Sequence, residues 1–107
     1  MKINKEIKNI AEAIKQAIPV ERIYLFGSYA YGAPGKDSDY DLFVVLPNGG
    51  LRPLEAAQKA HIALIGVNAE KPVDILTDYR SRFDDRRQYN TLERKVFEEG
   101  VVLYERA

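Results

Sequence analysis

The chain has 107 residues, in which sixteen basic and sixteen acidic side chains cancel and no cysteine occurs. That length predicts one domain, residues 1–107, able to bury a core but too small for a second, substrate-holding domain. The charge balance lacks the basic footprint of a protein that grips nucleic acid by its phosphates, and the absence of cysteine excludes disulfides and thiolate metal sites.

Met1-Lys2-Ile3-Asn4-Lys5-Glu6 reads as a charged helix start rather than a signal peptide. No apolar run approaches the roughly 20 residues of a membrane span, so a cytoplasmic location is expected. Ile3, Ile7, Ile10, Ile14 and Ile18 recur at spacings of three and four, one apolar stripe on a first helix that Pro19 ends. A strand comes next at about 21–26, then a short helix from Ser28 to about Tyr31, stopped by Gly32. Ala33-Pro34-Gly35-Lys36-Asp37 is dense in turn formers. The next strand runs from Asp39 or Tyr40 to Leu46, and its nearly unbroken apolar end predicts a central strand buried on both faces. Pro47-Asn48-Gly49-Gly50 breaks it. Pro53 suits the first turn of a third helix reaching about Gly66, with Leu54, Ala57, His61, Leu64 and Ile65 roughly along one face. Val73-Asp74-Ile75-Leu76 restarts the chain as a strand, and Thr77 or Asp78 could cap the segment after it. Thr91-Leu92-Glu93-Arg94 has the residue types of a capping box and Gly100 suits a helix end, so a last helix covers about 92–99 before a closing strand, 101–104. The order αβαβαβαβ predicts a single α/β layer structure.

Chemistry concentrates between residues 27 and 42. Gly27 lets backbone approach a ligand closely, and a helix starting at Ser28 would aim free N–H groups at phosphate oxygens. Strand side chains alternate faces, so Asp39 and Asp41 point the same way if their strand starts by residue 39. Such a pair repels unless a cation sits between its members, and oxygen-only ligands suit Mg²⁺, which takes the rest of its shell from water and phosphates. Asp74 is a carboxylate inside an apolar strand, so it must be paired, at the strand rim, or on a metal. If its strand neighbours the second, three carboxylates face one cleft and could hold two Mg²⁺ ions for phosphoryl or nucleotidyl transfer. His61, the one histidine, sits among apolar neighbours and reads as a core or surface residue. Arg80, Arg82, Arg86 and Arg87 interleave with Asp78, Asp84 and Asp85, the pattern of a self-paired solvated face.

Gly27-Ser28, ten intervening residues, Asp39-Tyr40-Asp41 and a later Val73-Asp74-Ile75 together resemble the signature of the DNA polymerase β-like nucleotidyltransferase superfamily, above all its minimal, antitoxin-type family. The leading helix and the ending Glu99-Gly100-Val101-Val102-Leu103-Tyr104-Glu105 extend the resemblance over nearly the whole chain. It implies a single-domain nucleotidyltransferase fold with a mixed β-sheet flanked by helices. It also implies that Asp39 and Asp41 bind two Mg²⁺ ions, that Asp74 binds one and helps deprotonate an acceptor hydroxyl, and that Gly27 and Ser28 hold the triphosphate of an NTP. Members often carry arginine around the short helix where this chain has Tyr29 and Tyr31, which implies either weaker triphosphate binding or a larger part in it for Lys36. The activity implied is transfer of NMP, AMP from ATP, to a hydroxyl. With no room for an acceptor-binding domain, the acceptor is expected on another protein. The family suggests a HEPN-type helical toxin, modified on a tyrosine by this chain as its antitoxin, and the small, neutral, tyrosine-rich domain is expected in a hetero-oligomer or at least a homodimer. Two other readings stay open: a binding module that neutralises its partner by contact alone, and a small-molecule nucleotidyltransferase of the antibiotic-modifying kind with its pocket at a dimer interface.

Overall fold

The first helix, α1 (Lys5–Ala17), starts where the Asn4 side chain accepts a hydrogen bond from the Ile7 amide at 2.8 Å. Its isoleucine stripe is buried at Ile7, Ile10 and Ile14, and Ile18 beyond its end is buried too. The computed structural model to which these elements belong describes residues 3–32, 34–35 and 38–107. Strand β1 (Arg22–Phe26) leads through Gly27 into the one-turn helix α2 (Ser28–Tyr31). Strand β2 (Tyr40–Leu46), helix α3 (Pro53–Leu64), strand β3 (Val73–Tyr79), helices α4 (Arg80–Arg86) and α5 (Leu92–Glu99), and strand β4 (Val101–Glu105) complete the order.

Four strands form one sheet in the order β3-β2-β1-β4. β1 runs antiparallel to β2 and β4, whereas β2 and β3 are parallel. A parallel pair needs a crossover, and α3 supplies it. The sheet is therefore mixed, as the family resemblance implies, with β2 central and buried from Leu42 to Leu46.

Alternation along β2 divides the core. Tyr40, Leu42, Val44 and Leu46 pack with α1 and α3 on one face. Phe43 and Val45 pack on the other with Tyr24, Phe83 of α4 and Val96 of α5. The Phe83 ring stacks on Tyr24 at 5.5 Å and meets Phe43 edge-on at 5.0 Å.

Several expectations need correction. Strand β3 does not end at Leu76 but continues to Tyr79, so Thr77 and Asp78 lie inside it and cap no helix. The order αβαβαβαβ also lacks α4, which comes directly after β3 with Arg80 held by Asp84 and Arg82 by Asp78. Arg22 of β1 joins this cluster with two bonds to Asp84, at 2.9 and 3.3 Å. On α3 the buried residues are Ala56 and Ala60, while Leu54 and Ile65 are 72% and 78% exposed and His61 is also exposed. Small side chains let α3 approach the sheet closely, so Leu54, Ile62 and Ile65 turn outward, whereas Leu64 of the expected face does pack, part-buried, against the core. The Thr91 hydroxyl does cap α5 by accepting from the Arg94 amide, but an arginine three residues on cannot return a bond as a capping-box Glu would. Glu93 is instead buried and accepts from Arg86 at 2.8 Å. Gly100 has an ordinary φ of −70°. Its reason is space, since a Cβ there would lie 3.0 Å from the Leu25 carbonyl oxygen and closer still to that of Val96.

Candidate active site

Tyr40 fixes the start of β2. Its amide donates to the Pro72 carbonyl at 3.0 Å and its buried hydroxyl donates to Glu6 of α1 at 2.7 Å. Tyr29 meets its ring edge-on at 4.8 Å. Burial and the acceptor Glu6 push the Tyr40 hydroxyl up to about 12, so it stays a donor at neutral pH. With Tyr40 pinned to the α1 face, alternation sends Asp41 to the opposite face, ahead of Phe43 and Val45. Asp39 lies one residue before the ladder rather than inside it.

The register places Asp41 between Phe26 of β1 and Asp74 of β3. Parallel in-register neighbours put their side chains on the same face, so the two carboxyl groups share one sheet end. Asp41 is half-buried; Asp74 stands exposed at the rim, one of the arrangements its chemistry required. The Asp41 carboxyl is held above the ordinary carboxylate range. Burial contributes most, then the charges of Asp74 and Asp39, and Asp74 also lies within hydrogen-bonding reach.

Gly27 closes the site from β1. Its φ of 76° and ψ of −159° belong to a region that is essentially glycine's alone. A Cβ on it would land on the Asp41 carboxylate. Two independent constraints, backbone conformation and space, thus demand glycine here. Ser28 opens α2 beside it, and the first N–H groups of a helix have no acceptor inside the helix. The amides of Ala30 and Tyr31 are already satisfied by the Gly27 carbonyl, both at 3.0 Å.

Asp39, Asp41, Asp74, Gly27 and Ser28 are therefore neighbours at one end of the sheet. Lys36 lies outside the described residues. His61 is exposed on α3, and Arg80, Arg82, Arg86 and Arg87 pair with Asp78, Asp84 and Glu93, as a self-paired face requires. Among the described residues no three acidic or histidine side chains form a ready metal cluster. The preassembled element is the Asp41–Asp74 pair, with Asp39 acting on Asp41 through its charge. This donor set still fits Mg²⁺, which commonly takes one or two carboxylates and completes its octahedron with water and phosphate oxygens. It also leaves a specific electrostatic demand, because a partly buried carboxylate flanked by two others is relieved by a cation.

Sequence reasoning missed the α5 side of the site. The Tyr31 hydroxyl is buried and has no hydrogen-bond partner. It lies close to the Gly27 amide, but the geometry falls short of a hydrogen bond. Burial does most to push this hydroxyl above the ordinary phenol range, and the charges of Glu99 and Asp41 add to the effect. The Lys95 ammonium sits 4.8 Å over the Tyr31 ring. No spacing rule links residue 31 to residue 95; packing of α5 against β1 does.

The chain matches the family described as "Nucleotidyltransferase domain" over residues 7–103. No curated protein matches it. Among solved structures, a protein assigned as a nucleotidyltransferase from Sulfolobus solfataricus is 20% identical with a TM-score of 0.66, covering 95% of this chain and 79% of its own. A toxin–antitoxin complex, MntA–HpeT with two aspartates replaced by glutamate, is 25% identical at a TM-score of 0.59, with 96% and 75% covered. A toxin–antitoxin structure with AMP-PNP is 28% identical at a TM-score of 0.61, again with 96% and 75% covered.

Proposed function

Because this chain belongs to the nucleotidyltransferase domain family, we propose that it moves AMP from ATP onto a hydroxyl of a partner protein. On this reading the partner is a HEPN-type toxin, and the chain is the antitoxin that neutralises it by modifying a tyrosine. The observation that carries the proposal is the approach of Gly27 to Asp41, with Asp74 in register beside it. A nucleotide phosphate can come close to backbone at Gly27 only where carboxylates can also receive its metal. The likeness to two toxin–antitoxin structures, one with a nucleoside triphosphate analogue and one altered at two aspartates, supports the choice of donor and partner. Exposed Leu54 and Ile62 of α3, with Ile65 just beyond its end, offer apolar area of the kind protein interfaces bury.

Asp39, Asp41 and Asp74 would hold Mg²⁺, which when bound supplies charge neutralisation at the attacking and leaving oxygens. Gly27 and Ser28 present amides to the phosphates and hold the nucleotide against β1. Asp74, exposed at the rim, is open to an incoming hydroxyl and accepts its proton. The acceptor oxygen forms a bond to the α-phosphorus, the bond from that phosphorus to the bridging oxygen breaks, and pyrophosphate leaves with the electron pair. Tyr40 holds β2 in place so that Asp41 and Asp74 stay in register.

Asp74→Asn tests the assignment, since asparagine keeps the shape and removes the base. MgATP binding should stay within about tenfold, roughly 1.4 kcal/mol, while transfer to the co-expressed product of the adjacent gene drops at least about a hundredfold. Rescue of growth should be lost with it. Undiminished transfer would remove Asp74 from the chemistry, whereas lost transfer with full rescue would show that contact alone neutralises the partner.

A further inference from the structure

Tyr29 and Tyr31 occupy α2, so the outer phosphates of a nucleotide bound at Gly27 meet no described cation on that helix. The far side of the site carries one. Helix α5 ends against β1, with Gly100 seated on the Leu25 carbonyl two residues before Gly27. This brings Lys95 over the Tyr31 ring, at 4.8 Å, and Tyr31 in turn lies beside Gly27 and within the field of Asp41.

Lys95 is exposed and, among the described residues, no carboxylate pairs with it. Glu99 stands at the i+4 position, but a lysine preceding its acid is the weaker orientation on a helix, and Glu98 is taken by Arg94 at 3.6 Å. Elsewhere the other lysine resting on a tyrosine, Lys15 over Tyr104, also holds Glu12 at 3.0 Å. Lys95 differs in having its charge uncommitted and its location at the carboxylate end of the sheet.

We infer that Lys95 is a phosphate-binding residue of the nucleotide site, its ammonium resting on the Tyr31 ring in the free protein and moving to the β- and γ-phosphates of a bound NTP. The inference rests on the nucleotide-site reading. An exposed cation–π contact is weak, and a charge-assisted hydrogen bond to phosphate is stronger, so the exchange is downhill. The four-carbon stem gives the ammonium the freedom to make it. Tyr31 then has a definite part: its ring keeps the cation beside the site without neutralising it, as an acidic neighbour would.

The test is calorimetric binding of MgATP and of AMP to the full chain carrying Lys95→Met, Lys95→Arg or, as a control with the same ring contact away from the site, Lys15→Met. Lys95→Met should weaken MgATP about tenfold and AMP less than about threefold, and should flatten the salt dependence of MgATP binding. Lys95→Arg and Lys15→Met should each stay within about threefold of the wild type for MgATP. Equal MgATP affinity in Lys95→Met and wild type overturns the inference, as does an equal loss for MgATP and AMP. If Asp41→Asn still weakens binding in that case, the nucleotide site itself stands. A wild type that binds no nucleotide removes both.

Discussion

Replacing Gly27 with alanine tests the geometry on which the site depends, because it meets two separable penalties. The backbone at φ 76° and ψ −159° lies where residues with a Cβ are strained by about 1–3 kcal/mol. The new methyl would also occupy the place of the Asp41 carboxylate. That carboxylate is the end of a side chain and can move, so this second penalty appears mainly as displacement. At roughly 4 °C per kcal/mol for a domain of this size, the strain alone should lower Tm by about 4–12 °C. Nucleotide transfer should fall at least about a hundredfold, since a displacement of about 1 Å in a catalytic group suffices for such a loss. Urea unfolding of Gly27→Ala, Asp41→Ala and the double variant separates the two effects. The cost of Gly27→Ala should be smaller by at least about 0.5 kcal/mol when Asp41 is already alanine, the lower range of coupling for residues in contact. A cost under about 0.5 kcal/mol in the wild-type background would refute the strain argument, and equal costs in both backgrounds would refute the contact.

The carboxylates of Asp41 and Asp84 should respond to pH with opposite sign. Burial, then Asp74 and Asp39, raise Asp41 in the folded state, so its contribution to stability is fully present below the unfolded value near 3.8 and is lost as pH rises through the raised one. Asp41→Asn, free of that loss, should therefore be at least as stable as wild type at pH 7 without metal and lose this advantage in acid; chemical unfolding at pH 7 and pH 3.5 checks both points. For Asp84, burial raises the carboxyl, but bonds from Arg22 and Arg87 outweigh it and lower it. Asp84→Asn should then be destabilised at pH 7, with the difference shrinking as pH falls through the folded value; a constant difference would mean the arginines are not its cause. Tyr31→Phe removes a buried hydroxyl without a partner and keeps the ring under Lys95, so the variant should be as stable as wild type or more stable by about 1 kcal/mol. A loss of about 1 kcal/mol or more in urea unfolding would show that the hydroxyl is bonded.

Periodicity and local chemistry control the part of this protein that its sequence determined alone. The isoleucine stripe of α1, the apolar run of β2, the Gly-Ser turn and the carboxylates around Tyr40 all carry their meaning within a few residues. Hence the αβ order apart from α4, the neighbourhood of Gly27 and Asp41, and the candidate carboxylates were legible. The rest depended on contacts that no local pattern encodes. Helix α4 has no long apolar period, and it stands because Phe83 fills the space between Tyr24 and Phe43 while Arg22, sixty-two positions from Asp84, ties it to β1. Helix α3 misled for the opposite reason: its large apolar residues imply a buried face, but the sheet selected Ala56 and Ala60 because only small side chains allow the approach. At the site, sequence could nominate Asp74 but not its place beside Asp41, which results from the parallel register of β2 and β3. Lys95 gave no signal at all. Its place above Tyr31 exists only because Gly100 lets the end of α5 press against β1, a steric decision made by the folded chain as a whole.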